Sequence, residues 1–103
     1  MNNIFENIPE ALDTELFETL LRSPQVRIER IISRGHRSAD GCWYDQKENE
    51  WVIVLKGSAL LVFDDGREET LGAGDYIDLP AHTRHRVEWT DPDTDTVWLA
   101  VWY

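Results

Sequence analysis

From Val26 to Tyr103 the chain is cut into short apolar–polar alternations by explicit turn chemistry, a pattern that few architectures accept. Val26, Ile28 and Ile32 alternate with Arg27, Glu29 and Ile31 at the period of a half-buried strand. Ser33 to Cys42 reads as an irregular connection carrying Gly35 and Gly41. Further strands are predicted over 43–46, 50–56, 58–63, 67–71, 76–79, 84–89 and 96–102. Asp64-Asp65-Gly66 is a hairpin signal, and Gly72-Ala73-Gly74-Asp75 is a tight turn that needs glycine dihedrals. Asp91-Pro92-Asp93-Thr94-Asp95 is a polar loop. There is no βαβ unit, repeat or low-complexity tract. Short strands at this spacing predict an all-β sandwich or barrel.

The first 25 residues read differently. Asn2 to Ile8 is short and partly apolar, and Pro9 closes it, so an extended arm is expected. Apolar residues at Leu16, Phe17, Leu20 and Leu21 fall on one face at helical period, with Asp13 as N-cap, Glu15 in the first turn and Ser23-Pro24 as the stop. This predicts one short N-terminal helix. The expected organisation is an arm and helix over 1–25 and a β-barrel over 26–103, together one domain, which 103 residues can stabilise without a staple.

Charge narrows the partners. Ten Lys plus Arg stand against twenty Asp plus Glu, and a net charge of −10 repels phosphate backbones, so a nucleic-acid partner is not expected. The single cysteine, Cys42, excludes an internal disulfide and any CxxC metal site, and is expected to be a small residue at least half-buried in a loop. The start lacks the basic and apolar regions of a signal peptide, and no apolar run is long enough to span a membrane. A cytoplasmic location, with no membrane partner, is the expectation.

Period-two alternation also assigns faces. If Glu50 points inward, so do Val52 and Val54, leaving Trp51, Ile53 and Leu55 on the other side. On 84–89 the charges Arg84, Arg86 and Glu88 share one side, which places His85, Val87 and Trp89 on the buried one. A buried carboxylate is costly unless paired or coordinated. Two inward polar heads, Glu50 and His85, are therefore expected either to bond to each other or to share a ligand.

The spacing of these residues resembles the two signature motifs of the cupin superfamily. Glu50, six residues and Gly57 match the end of the first, E-x6-G. Gly74, Pro80 and His85 fall in register with the second, G-x5-P-x-G-x2-H-x3-N. The resemblance covers roughly residues 26 to 103 and implies a double-stranded β-helix, the jelly-roll barrel. In the common cupin pattern two histidines precede the glutamate by three or four residues. Here those slots hold Tyr44 and Gln46, or with the longer gap Trp43 and Asp45, and the first pair is preferred because it shares the parity of Glu50. His82 stands where the family has glycine, and Trp89 where it has asparagine.

The resemblance implies a metal set of Gln46, Glu50 and His85, oxygen-rich with one imidazole, suited to a divalent ion of the Mn, Fe or Ni type. Tyr44 and His82 are the candidates to move a proton, with surface exposure the plain alternative for His82. Trp98 and Trp102 share one parity on the last strand and, with Trp43, form either core or an aromatic wall. Three functions follow. One is a metal-dependent protein acting on or binding a small organic molecule in the barrel. The second is a metal-free binding or sensor module without catalysis. The third is a structural or interaction protein. A homodimer, with the arm Ile4 to Ile8 pairing across a two-fold axis, is compatible with all three.

Overall fold

A computed structural model describes all of residues 1–103. It contains eight strands and no helix: β1 (Leu16–Arg22), β2 (Arg27–Ser33), β3 (Glu50–Lys56), β4 (Ser58–Phe63), β5 (Glu68–Gly72), β6 (Tyr76–Leu79), β7 (His85–Thr90) and β8 (Thr96–Trp102). They form a five-stranded sheet, β1-β2-β8-β3-β6, and a three-stranded sheet, β5-β4-β7, with every pairing antiparallel. Two such sheets face to face are the expected jelly roll. Their inner faces supply one core, in which Val52, Val54, Ala59, Leu61, Phe63 and Ala100 are almost fully buried. The alternation on β3 is as expected: Glu50, Val52 and Val54 face in, and Trp51, Ile53 and Leu55 are half-exposed.

The expected helix is a strand. Leu16, Phe17, Leu20 and Leu21 lie on β1, which pairs with β2 through Leu16↔Ile32, Glu18↔Arg30 and Arg22↔Arg27. The register shifts between Thr19 and Leu21, so an extra residue is absorbed there. A bulge of this kind turns alternating apolar positions into doublets, and doublets four apart mimic a helical face. Ser23-Pro24 is not a helix stop but the turn of the β1–β2 hairpin, with the Ser23 N–H donating to the Val26 carbonyl at 2.8 Å. Asp13 caps nothing. Leu16–Arg22 therefore belongs to the larger sheet.

The arm folds onto its own chain through two arginines. Arg30, 5% exposed, donates to the carbonyls of Ile4 (3.1 Å) and Glu6 (2.6 Å) and pairs with Glu18. Arg34 donates to the carbonyls of Pro9 (3.2 Å) and Glu10 (2.6 Å) and to Asp95 (2.6 Å). A guanidinium carries five donors in a fixed fork, so each arginine can hold several stretches of backbone at once. The path of the arm then delivers Glu15 to the mouth of the barrel.

Two local expectations also change. Residues 43–46 are not a strand; Tyr44 alone bridges to His85, exchanging backbone bonds of 2.7 and 3.2 Å. On β7 the pairing with β4 slips between Leu60 and Leu61, so Leu60 faces Trp89 while Leu61 faces Val87. The extra residue reverses parity beyond Glu88. Trp89 therefore turns out, 43% exposed, and Thr90 turns in, donating to the His36 carbonyl at 2.6 Å. Cys42 is exposed rather than buried.

Candidate functional site

Glu50 opens β3 on the larger sheet, paired on either side with Leu79 and Trp102. His85 opens β7 on the smaller sheet, opposite Phe63. The two heads therefore reach the sandwich interior from opposite walls and meet there, His85 Nε2 lying 3.8 Å from Glu50 Oε1. Glu50 is 7% exposed and His85 5%. At 3.8 Å there is no direct hydrogen bond, yet one donor at about 2.8 Å from each could bridge them.

The imidazole is held in one tautomer. Its Nδ1 lies 2.8 Å from the Thr83 carbonyl. A carbonyl only accepts, so Nδ1 carries the proton and Nε2 presents its lone pair to Glu50. The ring also packs beside Tyr44 and Phe63, with centroids 5.5 and 6.3 Å away. Burial lowers its pKa, and the bond to Thr83 opposes this in part. The Glu50 carboxyl is raised to about 7, chiefly by burial, then by the nearby Glu29 carboxylate, against an opposing pull from Arg27. Its oxygens make no hydrogen bond to any protein donor. The pair is thus not an ion pair; burial makes both groups favour their neutral forms.

Around them lies a cavity of about 150 Å³. Val52, Leu61, Leu79 and Val87 give its hydrocarbon walls, with Trp98 and Trp102 beside them. Both indole N–H groups are used elsewhere: Trp98 donates to Ser33 Oγ at 3.1 Å and Trp102 to Glu29 Oε1 at 2.8 Å. Tyr44 and Gln46 also line the cavity, so every residue of the expected set Tyr44, Gln46, Glu50 and His85 reaches one space. Tyr44 is 38% exposed at the mouth, and burial, with added repulsion from Glu15, raises its phenol pKa.

His82 does not join them. It has φ of 62° in the turn where glycine would be easiest, its side chain is exposed, and Nδ1 meets Asp45 Oδ1 at 2.7 Å on the surface. His36 pins its own loop, accepting at Nδ1 from the Arg34 N–H at 2.9 Å. Trp43 lies outside the cavity, beside the guanidinium groups of Arg84 and Arg86. Sequence reasoning missed Glu15 and Phe17, which line the cavity from the start of β1. Glu15 bonds to the Ser33 hydroxyl, and burial raises its pKa. Nothing local marked it, because its apolar neighbours carry a helical period.

The donor set bears directly on the expected metal. No three His, Cys, Asp or Glu side chains gather where they could hold an ion. Glu50 and His85 are two strong donors, Gln46 could add an amide oxygen, and Tyr44 keeps its proton, whereas catalytic zinc sites use three protein ligands. These residues do not fit a tightly held resident metal.

Comparison with known proteins adds the following. The profile described as "Cupin domain" matches residues 35–102. A crystal structure from Ralstonia eutropha JMP134, provisionally designated a mannose-6-phosphate isomerase, is 43% identical, covers 99% of this chain and 95% of that one, and superposes with a TM-score of 0.94. An RmlC-like cupin protein from Desulfovibrio desulfuricans is 18% identical over 99% of this chain and 93% of its own, with a TM-score of 0.79. A cupin superfamily protein from Desulfitobacterium hafniense DCB-2 is 20% identical over 92% and 82%, with a TM-score of 0.75. The last two are similar in fold alone. No curated protein matches the chain significantly.

Proposed function

The chain belongs to the cupin domain family, and from that premise we propose that it binds a small organic molecule in the barrel and moves a proton on it, Glu50 and His85 forming the acid–base pair. One observation carries this reading. A carboxyl without a protein hydrogen bond faces the free lone pair of a tautomer-locked imidazole across 3.8 Å, inside a mostly apolar cavity. A carboxyl with its pKa at about 7 is balanced between giving and taking a proton at neutral pH.

The chemistry needs no co-reactant. Ionised Glu50 takes a proton from carbon beside a carbonyl, and the C–H electron pair moves onto the carbonyl oxygen as an enolate. With an α-hydroxy carbonyl the intermediate is an enediolate, and a proton passes from the hydroxyl oxygen to the former carbonyl oxygen. Protonated Glu50 then returns its proton to the former carbonyl carbon, and the carbonyl has moved by one carbon. The Tyr44 hydroxyl is the donor available to the oxygen. His85 Nε2 accepts a hydrogen bond from Glu50 or from the substrate and so positions the proton in flight. Isomerisation is the reaction class in the designation of the Ralstonia eutropha relative. Its phosphorylated sugar is not carried over, because neither lysine nor arginine lines this cavity to receive a phosphate. A divalent ion of the Mn, Fe or Ni type, were one held, would rest on Glu50, His85 and Gln46 and would polarise a carbonyl, but the donor set argues against it and no step above uses it.

The alternative, a binding module without catalysis, predicts occupancy of the same cavity and no proton movement. Deuterium exchange separates them. Small hydroxy- and aminoketones incubated with the protein in D2O should lose ¹H NMR signal at the carbon beside the carbonyl, and Glu50→Gln should slow this by about 100-fold or more. Exchange at the buffer rate for a compound that quenches the Trp98 and Trp102 fluorescence would leave only the binding module.

A further inference from the structure

The hydrogen-bonding groups that line the cavity are unbalanced. Glu50 offers two carboxylate oxygens that bond to nothing, His85 offers the Nε2 lone pair, and Glu15 adds a second carboxylate at the mouth. Against these acceptors the lining has few donors, the Gln46 amide and the Tyr44 hydroxyl. The usual donors of an aromatic wall are missing, since both indole N–H groups point away to Ser33 and Glu29. The His85 Nδ1–H is likewise spent on Thr83. An acceptor-rich, donor-poor cavity is satisfied by a ligand with the opposite inventory.

Charge and size agree with this. Glu15 and Glu50 are the carboxylic acids of the lining, Glu29 stands just behind Trp102, and no lysine or arginine lines the cavity. The chain as a whole carries −10. An anion entering here would meet carboxylates with no cation in the lining, Arg27 lying behind Trp102 and already paired with Glu29 and Glu48. The space, about 150 Å³, is that of roughly one benzene-sized group.

Resting on the reading that this cavity is the ligand site, we propose that its ligand is a compact organic ammonium compound, whose nitrogen donates to Glu50 and to His85 Nε2 while its carbon frame lies against Trp98 and Trp102. The 3.8 Å between the two acceptors suits one nitrogen within hydrogen-bonding distance of both. An ammonium group supplies three donors and no acceptor, the complement of this lining. The Trp98 ring favours a nearby cation as well, while Trp102 already carries the Arg27 guanidinium 5.0 Å from its centroid.

Three probes of matched shape test the charge preference: benzylamine, benzyl alcohol and benzoate, each titrated at pH 8 into chelator-treated protein. Calorimetry gives affinity, and the indole N–H signals of Trp98 and Trp102 locate the binding. The groups whose charge acts on Glu50 at that pH are Glu29, Arg27 and Glu15, with Tyr44 and His85 neutral. Benzylamine should bind about tenfold or more tightly than either other probe, as expected for a charge-assisted hydrogen bond. Glu50→Gln should reduce benzylamine to the level of benzyl alcohol and leave the alcohol unchanged, which separates this site from general attraction to an acidic surface. Benzoate binding as tightly as benzylamine would overturn the ammonium assignment and leave the cavity as a ligand site. An amine advantage that survives Glu50→Gln would also overturn it. Failure of all three probes to shift either indole would overturn the assignment and the proposed function together.

Discussion

At pH 8, Glu50→Gln should be more stable than the wild-type protein by about 3 kcal/mol, and at pH 5.5 by only about 1 kcal/mol. The wild-type carboxyl titrates at about 7 when folded, against an ordinary value of 4.5. Its folded-state pKa is raised, so its contribution to stability is fully present below 4.5 and is lost as pH rises towards 7. Above that, the protein must hold an ionised carboxylate among hydrocarbon with no protein donor bonded to it. Glutamine has the same shape and no charge, and its amide can donate to His85 Nε2. For a domain of this size the gain at pH 8 should raise Tm by on the order of 10 °C. A substitution that stabilises the fold while removing the proton carrier is the trade expected of a functional group retained against stability. Differential scanning calorimetry at the two pH values reads both the sign and the pH dependence. Equal Tm values at pH 8 would mean that the carboxyl is already satisfied in the native protein.

Gly57→Ala should do the reverse and unfold the protein or destabilise it by about 3 kcal/mol or more. Gly57 links β3 to β4, the step from the larger sheet to the smaller, and its φ is +89°. A Cβ placed there would lie 2.5 Å from Thr96 Oγ1, 2.6 Å from Thr96 Cα and 2.7 Å from the Asp95 carbonyl. Two of those three atoms are backbone, and Thr96 is fully buried, with its hydroxyl bonded to the Ser58 carbonyl at 3.2 Å. Neither can yield without opening the packing between β8 and β4. Gly74→Ala is the control. Its φ is +92°, but nothing lies within 4 Å of the added carbon, so only the backbone penalty of about 1–2 kcal/mol applies. Urea titration of both variants separates conformational strain from the clash. Equal losses would show that Gly57 is required for its dihedral alone.

The difference between these glycines shows what could be read from the chain and what could not. Turn chemistry and the period of two placed β3 to β8 to within a residue or so, because those signals are local. Inward placement of Glu50 and His85 was legible for the same reason: parity is a statement about one strand. It failed wherever a register shift entered. Trp89 turned outward beyond the slip on β7, and the doublets of β1 passed for a helix, because a bulge is set by the partner strand. Glu15 was invisible on that account. Its position depends on Arg30 and Arg34 gripping the carbonyls of the arm, and no pattern in the first 25 residues names a partner so far along the chain. The raised carboxyl of Glu50 needed the opposite wall, which only the packed sandwich supplies.

The most direct test is the titration of the Glu50 side-chain carboxyl, followed by ¹³C NMR from pH 4 to 9. A midpoint at about 7, with neutral His85 present as the Nδ1–H tautomer, is the expected result. A midpoint near the ordinary 4.5 would place that carboxyl in contact with water or a donor, and the acid–base pair proposed for the barrel would not exist.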